Sequence, residues 1–195
     1  MSSKRLGKRL LEPKPKPKIC KIREVKREIR ILGFSGAVVD GVLCAIGIVM
    51  RGGTSLDGLI KVDLEGEKST ETLANAIAES SHYEQLRVVL LEGRLCSEAA
   101  IDYRELSSSL KLPVVVLSAE KMPSWGGSYG IGLERRYFLY VTGISLAKAK
   151  EILELSTRRE GVPEPIRASN VILGGLKRKS LRETAMIRTR NEILP

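Results

Sequence analysis

IRILGFSGAVVDGVLCAIGIVMRGGTSLDGLIKVDL, residues 29–64, carries three strand-like runs in close succession, at 29–34, 41–50 and 58–64. The segments between them, SGAVVD and RGGTSLDG, are rich in turn-forming residues. Connections this short force neighbouring strands to run antiparallel, so the stretch predicts a three-stranded meander. The first strand breaks off at Ser35-Gly36, where a catalytic strand often presents a carboxylate. Ser35 is therefore a working group, the remnant of a lost one, or a turn residue.

Working outward, residues 69–83 suit a helix, with Ser69 as its cap, Glu71 in its first turn and Leu73, Ile77 and Tyr83 on its apolar face. RVVLLE, 87–92, is a continuous apolar run that reads as a strand covered on both faces. A helix over 99–110 and a buried strand PVVVLS, 113–118, follow. Two strands flanking a helix should be parallel, joined by a right-handed crossover. Residues 137–141 suit an edge strand, and 145–155 an amphipathic helix capped by Ser145. PEPIRASNVILGG, 163–175, reads as a last helix, with Pro near its start and Gly after its end. Three antiparallel strands, then α-β-α-β, then helices, is the chain order of the ribonuclease-H-like fold. The class is α/β: a mixed sheet of three antiparallel strands followed by parallel ones, with flanking helices.

The chain of 195 residues is 43% hydrophobic, enough for one well-packed domain. Its longest apolar stretch, around 42–50, is half what a membrane span needs, and the charged start lacks the apolar region of a secretory signal. Cys20, Cys44 and Cys96 form no C-x-x-C pair, so reduced buried thiols and a cytoplasmic location are expected.

The net charge of +10 is unevenly placed. Residues 1–27 hold Lys4, Arg5, Lys8, Arg9, Lys14, Lys16, Lys18, Lys21, Arg23, Lys26 and Arg27 against Glu12 and Glu24, a net +9. Lys177, Arg178, Lys179, Arg182, Arg188 and Arg190 outweigh Glu183 and Glu192 by +4, which leaves −3 on 28–176. The chain thus divides into a basic arm at 1–27, one folded domain at 28–176 and a basic tail at 177–195. EPKPKPK, 12–18, is an extended proline–lysine linker. Solubility does not require such asymmetry, whereas a polyanion would release counterions on meeting it. The arm residues together with Lys177, Arg178 and Lys179 are the candidate nucleic-acid contacts. Aromatic residues are only 4%, so base stacking is restricted to Trp125 and Tyr129 in a glycine-rich loop.

Several segments together carry a resemblance. IRILGFSG, MRGG (50–53), LEGEKSTETLANAI (64–77), LRVVLLEG (86–93), LPVVVLS (112–118) and GISLAKAKEILELSTRREGVPEPIRASNVI (143–172) are similar to domain-of-unknown-function family 99. That archaeal family is related to endonuclease V. The resemblance implies a ribonuclease-H-like core and phosphodiester chemistry at a metal site. It also marks departures. The family pattern ends the first strand in two aspartates where this chain has Ser35-Gly36. It places aspartates around a glycine where Glu65-Gly66-Glu67-Lys68 stands, and Leu-Asp-Gly where Leu91-Glu92-Gly93 stands. KMPSWGGSYGIG, 121–132, is shorter and richer in glycine than the family's helical segment there.

Two-metal phosphodiester hydrolysis needs three or four hard oxygen ligands holding Mg²⁺ ions about 3.5–4 Å apart. Ser35 is neutral, and an inward Lys68 would put a positive charge where a cation should sit. Glu65 and Glu92 could bind one ion weakly; Asp40, in a turn, and Asp63, within a strand, are poor substitutes. GFSGA lacks the second glycine of G-x-S-x-G, and the lone histidine, His82, closes a helix, so serine hydrolase chemistry has no base. Glu164 and Arg167 suit helix initiation and a surface ion pair.

These features predict a nucleic-acid-binding protein, for DNA or RNA, on an endonuclease-V-like fold. Its metal site, represented by Ser35, Glu65 and Glu92, is expected to be degenerate, with little or no nuclease activity and no cofactor. An active Mg- or Mn-dependent endonuclease is the alternative. A non-catalytic scaffold for a protein partner or a homodimer is the second alternative.

Overall fold

The computed structural model describes residues 22, 24–122, 129–132, 137–159 and 161–192, with backbone alone for 129–132, 159 and 183–192. The meander forms as β1 (Arg30–Val39), β2 (Val42–Arg51) and β3 (Ser55–Leu64), with both neighbouring pairs antiparallel. Ser35-Gly36 is not the turn: β1 runs straight through it, with Ser35 opposite Ile46. The turn is Asp40-Gly41, whose φ angles of 50° and 82° are both positive. That two-residue form matches the twist of the flanking strands. Gly36 sits mid-strand because a side chain there would approach the Leu95 methyl to 2.5 Å.

The sheet continues through β4 (Val88–Glu92), β5 (Val114–Ser118), β6 (Tyr129–Gly132) and β7 (Tyr137–Thr142), in the order β3-β2-β1-β4-β5-β7-β6. β1, β4 and β5 are parallel, and β7 runs antiparallel to β5. The 137–141 strand is therefore interior, because β6 pairs along its outer side. A small separate ribbon joins β8 (Thr157–Arg159) to β9 (Val162–Pro163).

Helices α1 (Ser69–Ala78), α2 (Gly93–Glu98) and α3 (Tyr103–Leu110) cover one face, burying Leu32, Phe34, Leu73, Ile77, Leu91 and Leu106. Helices α4 (Leu146–Ser156) and α5 (Glu164–Glu192) cover the other, over Ile31, Val88, Leu90, Ile152 and Ile166, and over Ala37, Ile46, Ile48 and Leu173. Coverage on both sides explains the unbroken apolar runs of β4 and β5. Each fully buried Leu, Ile or Phe contributes roughly 1.5–3 kcal/mol.

Three helix expectations change. A 3₁₀ turn at Gly66–Lys68 precedes α1, so Ser69 lies inside the helix, its hydroxyl donating to the Gly66 carbonyl at 3.0 Å. The 99–110 helix is shorter, beginning at Tyr103. Asp102 starts it, its Oδ1 accepting from the backbone N–H groups of Arg104 (2.8 Å) and Glu105 (3.1 Å). The last helix does not stop at 175 but runs to Glu192, since Leu173 and Leu176 hold it to the sheet on either side of Gly174-Gly175. Ser145 does cap α4, accepting from the Lys148 N–H at 3.3 Å. His82 is in the turn after α1, half-buried against Gly58. Among the described residues, no helix is long and apolar enough to cross a membrane.

Candidate functional site at the strand ends

In this arrangement the end of β4 lies beside the middle of β1, with Phe34 beside Leu91 in the parallel ladder. Alternation along β1 turns Gly33, Ser35 and Ala37 toward α5, and Phe34 and Gly36 toward α1–α3. Ser35 has no exposed surface. Its backbone N–H donates to the Ser169 hydroxyl at 3.2 Å, which donates onward to the Ile46 carbonyl at 2.6 Å. Ser169, on α5, thus bridges the paired residues of β1 and β2. The Ser35 hydroxyl points at the Ile166 carbonyl, 3.5 Å away. Ser35 is sealed beneath α5, out of reach of a substrate.

Glu92 ends β4 and leads directly into α2. One of its carboxylate oxygens, Oε2, is buried without a hydrogen-bond partner, and Arg94 Nη2 stands 3.8 Å from it. The same Nη2 donates to the Gly36 carbonyl at 2.9 Å. Arg94 therefore ties the middle of β1 to the carboxylate at the end of β4. Cys96 lies within α2; burial pushes its thiol pKa far up, and the Glu92 carboxylate pushes it further. It is no nucleophile.

Glu65 lies elsewhere, exposed just after β3. With Glu67, Glu98, Val38, Val42 and Leu43 it lines a cleft of about 630 Å³. Lys68 is exposed and does not line that cleft, so the cation close to the surviving acid is Arg94 rather than Lys68. Asp63 is paired with Lys61 at 2.9 Å, and Asp40 accepts from the Ser180 hydroxyl. Burial and the Asp63 carboxylate push the neighbouring Cys44 thiol pKa up. Glu164, buried in the first turn of α5, pairs with Arg167 at 2.7 Å.

Among the described residues, no three His, Cys, Asp or Glu side chains gather as a metal site. Where β4 ends beside β1, the donor set is one carboxylate beside a guanidinium. That set does not fit a pair of divalent ions, which demand several hard oxygens and no competing cation.

Of the basic candidates, Lys26 and Arg27 are exposed before β1, and Lys177, Arg178 and Lys179 are exposed on α5. Lys4, Arg5, Lys8, Arg9, Lys14, Lys16, Lys18, Lys21 and Arg23 lie outside the described residues, as does Trp125; Tyr129 is described in its backbone alone. The roles of Arg94 and Ser169 were missed in the sequence. For Arg94 the signal was a long cation directly after the Glu92-Gly93 pair; for Ser169 there was none, because its contact spans 134 residues.

A sheet ordered 3-2-1-4-5 through its first five strands, with helices on both faces, is a ribonuclease-H-like fold of the kind seen in endonuclease V. The chain belongs to the Endonuclease dU family, whose model matches residues 27–126. A UPF0215 protein of Methanothermobacter thermautotrophicus is 32% identical over 185 residues, covering 79% of this chain and 90% of that protein. A protein of unknown function from Archaeoglobus fulgidus superposes with a TM-score of 0.66 at 20% identity, covering 76% of this chain and 98% of that one. Endonuclease V of Ciona intestinalis, in complex with a DNA 24mer containing an inosine followed by a ribo-adenosine, gives a TM-score of 0.54 at 14% identity. It covers 80% of this chain and 87% of that one.

Proposed function

We propose that this protein binds nucleic acid without cutting it efficiently, on an endonuclease-V fold whose metal site has degenerated. The observation that carries the reading is Ser35. The strand position that the family resemblance assigns to an acid holds a neutral side chain buried under α5. Without a carboxylate there, Glu92 is left as a single hard ligand, and one ion held weakly cannot both activate water and stabilise the leaving oxygen. Attraction comes instead from the basic residues at 1–27 and 177–192, which neutralise phosphates and release counterions whatever the sequence. The DNA complex of the Ciona enzyme supports a nucleic-acid partner for this fold.

The test is binding to single- and double-stranded oligonucleotides across a salt series. The reading predicts affinity that falls steeply with salt and falls again when residues 1–27 are deleted. Affinity indifferent to both would remove it.

The family's description as an endonuclease favours a second reading, metal-dependent cleavage with Glu65 and Glu92 as ligands. Mg²⁺- or Mn²⁺-dependent cutting of DNA containing deoxyuridine or inosine, abolished by Glu92→Ala, would establish it.

A further inference from the structure

The guanidinium of Arg94 stands between Glu92, at the end of β4, and Gly36, in the middle of β1. We infer that Arg94 is a built-in cation that closes this point to a divalent ion, an inference that rests on the degenerate-site reading and supplies its physical cause. Two hard oxygens face this point, the Gly36 carbonyl and Glu92 Oε2. Arg94 Nη2 uses the first, at 2.9 Å, and stands 3.8 Å from the second. Mg²⁺ or Mn²⁺ taking either oxygen as a ligand would lie on the order of 2.0–2.6 Å from it, against the positive charge of Nη2. Both cations cannot be present.

Arg94 is also the one ion-pair partner that the described residues give Glu92, whose Oε2 is otherwise buried and unpartnered. Losing the guanidinium with no ion in its place would leave that carboxylate uncompensated. A guanidinium is a fixed cation. It supplies one positive charge but no Lewis acidity, which suits holding the strand ends together rather than polarising water. The attachment is short: Gly93 separates Glu92 from Arg94, and a side chain on Gly93 would collide with Ser118, its Cβ reaching 2.6 Å. The backbone therefore delivers Arg94 to this position closely packed against β5.

The experiment is Mn²⁺ binding to the full chain, followed by electron paramagnetic resonance and by the shift in Tm. It compares the wild type, Arg94→Ala, Arg94→Lys and the double variant Arg94→Ala/Glu92→Gln. The wild type and Arg94→Lys should ignore millimolar Mn²⁺. Arg94→Ala should bind it, with a rise in Tm of about 3 °C once the ion is tenfold above its dissociation constant, and the double variant should lose that rise. Arg94 is half exposed, and a cooperative thermal transition without Mn²⁺ is the check that each variant is folded. Mn²⁺ bound by the wild type and lost in Glu92→Gln would overturn the inference. An Arg94→Ala protein that still ignores Mn²⁺ would overturn it equally, since something else would then exclude the ion. Cleavage of oligonucleotides by the wild type would bring down the parent reading as well; Mn²⁺ binding without cleavage would bring down this one alone.

Discussion

An aspartate placed at Ser35 would have its carboxylate beneath α5, facing the Ile166 carbonyl with no cation to receive it. Ser35→Asp is therefore expected to destabilise the fold by about 3 kcal/mol without creating a Mn²⁺ site; urea denaturation with and without Mn²⁺ checks both. A different acid holds the opposite end of the meander. Asp57 on β3 accepts from Arg51 at 2.9 and 3.0 Å and from Arg30 at 3.1 Å. Burial pushes its pKa up, but the two guanidinium groups outweigh it and hold the carboxyl below its ordinary 3.8. A depressed carboxyl contributes stability that is fully present above its unfolded pKa and is lost as pH falls through the folded one. The wild type should exceed Asp57→Asn by about 1 kcal/mol near neutrality, and the gap should close as denaturation is repeated below about pH 3.8.

Strands and helices were legible in unequal measure. The meander, the parallel pair and α4 could be placed because each is carried by local periodicity and short connections. Ser35-Gly36 misled because it has the composition of a turn, while Asp40-Gly41, four residues on, is the pair that adopts two positive φ angles. The extent of α5 was hidden for the mirror reason: Gly174-Gly175 looks like a stop signal, and only contact of Leu173 and Leu176 with the sheet carries the helix through it. That override leaves a measurable trace. A Cβ at Gly175 meets nothing within 4 Å, so Gly175→Ala should raise stability by about 1 kcal/mol, read as a higher denaturation midpoint. Were 175 a true helix end, the substitution would gain nothing. Ser169 was beyond sequence reasoning because its partners, Ser35 and Ile46, reach it only through the tertiary fold, whereas Arg94 left a local signal beside Glu92 and only its bond to Gly36 depends on that fold.

For the whole molecule, charge is segregated from the sheet. The body between 28 and 176 is net negative and a cleft of about 630 Å³ on it is lined by Glu65, Glu67 and Glu98, while the two ends carry the positive charge. An acidic cleft repels phosphate, so on the proposed reading the attraction comes from the ends. Replacing Lys177, Arg178 and Lys179 by glutamine should weaken oligonucleotide binding across all sequences and lower the salt slope by about three, as fluorescence anisotropy over a salt series would show. The most direct test follows full-length protein with a labelled oligonucleotide containing deoxyuridine or inosine, with Mg²⁺ or Mn²⁺ present, and reads binding and cleavage in the same tube. The account predicts a salt-sensitive complex whose strand stays intact with either ion. Strand scission that requires the ion and vanishes in Glu92→Ala would contradict it.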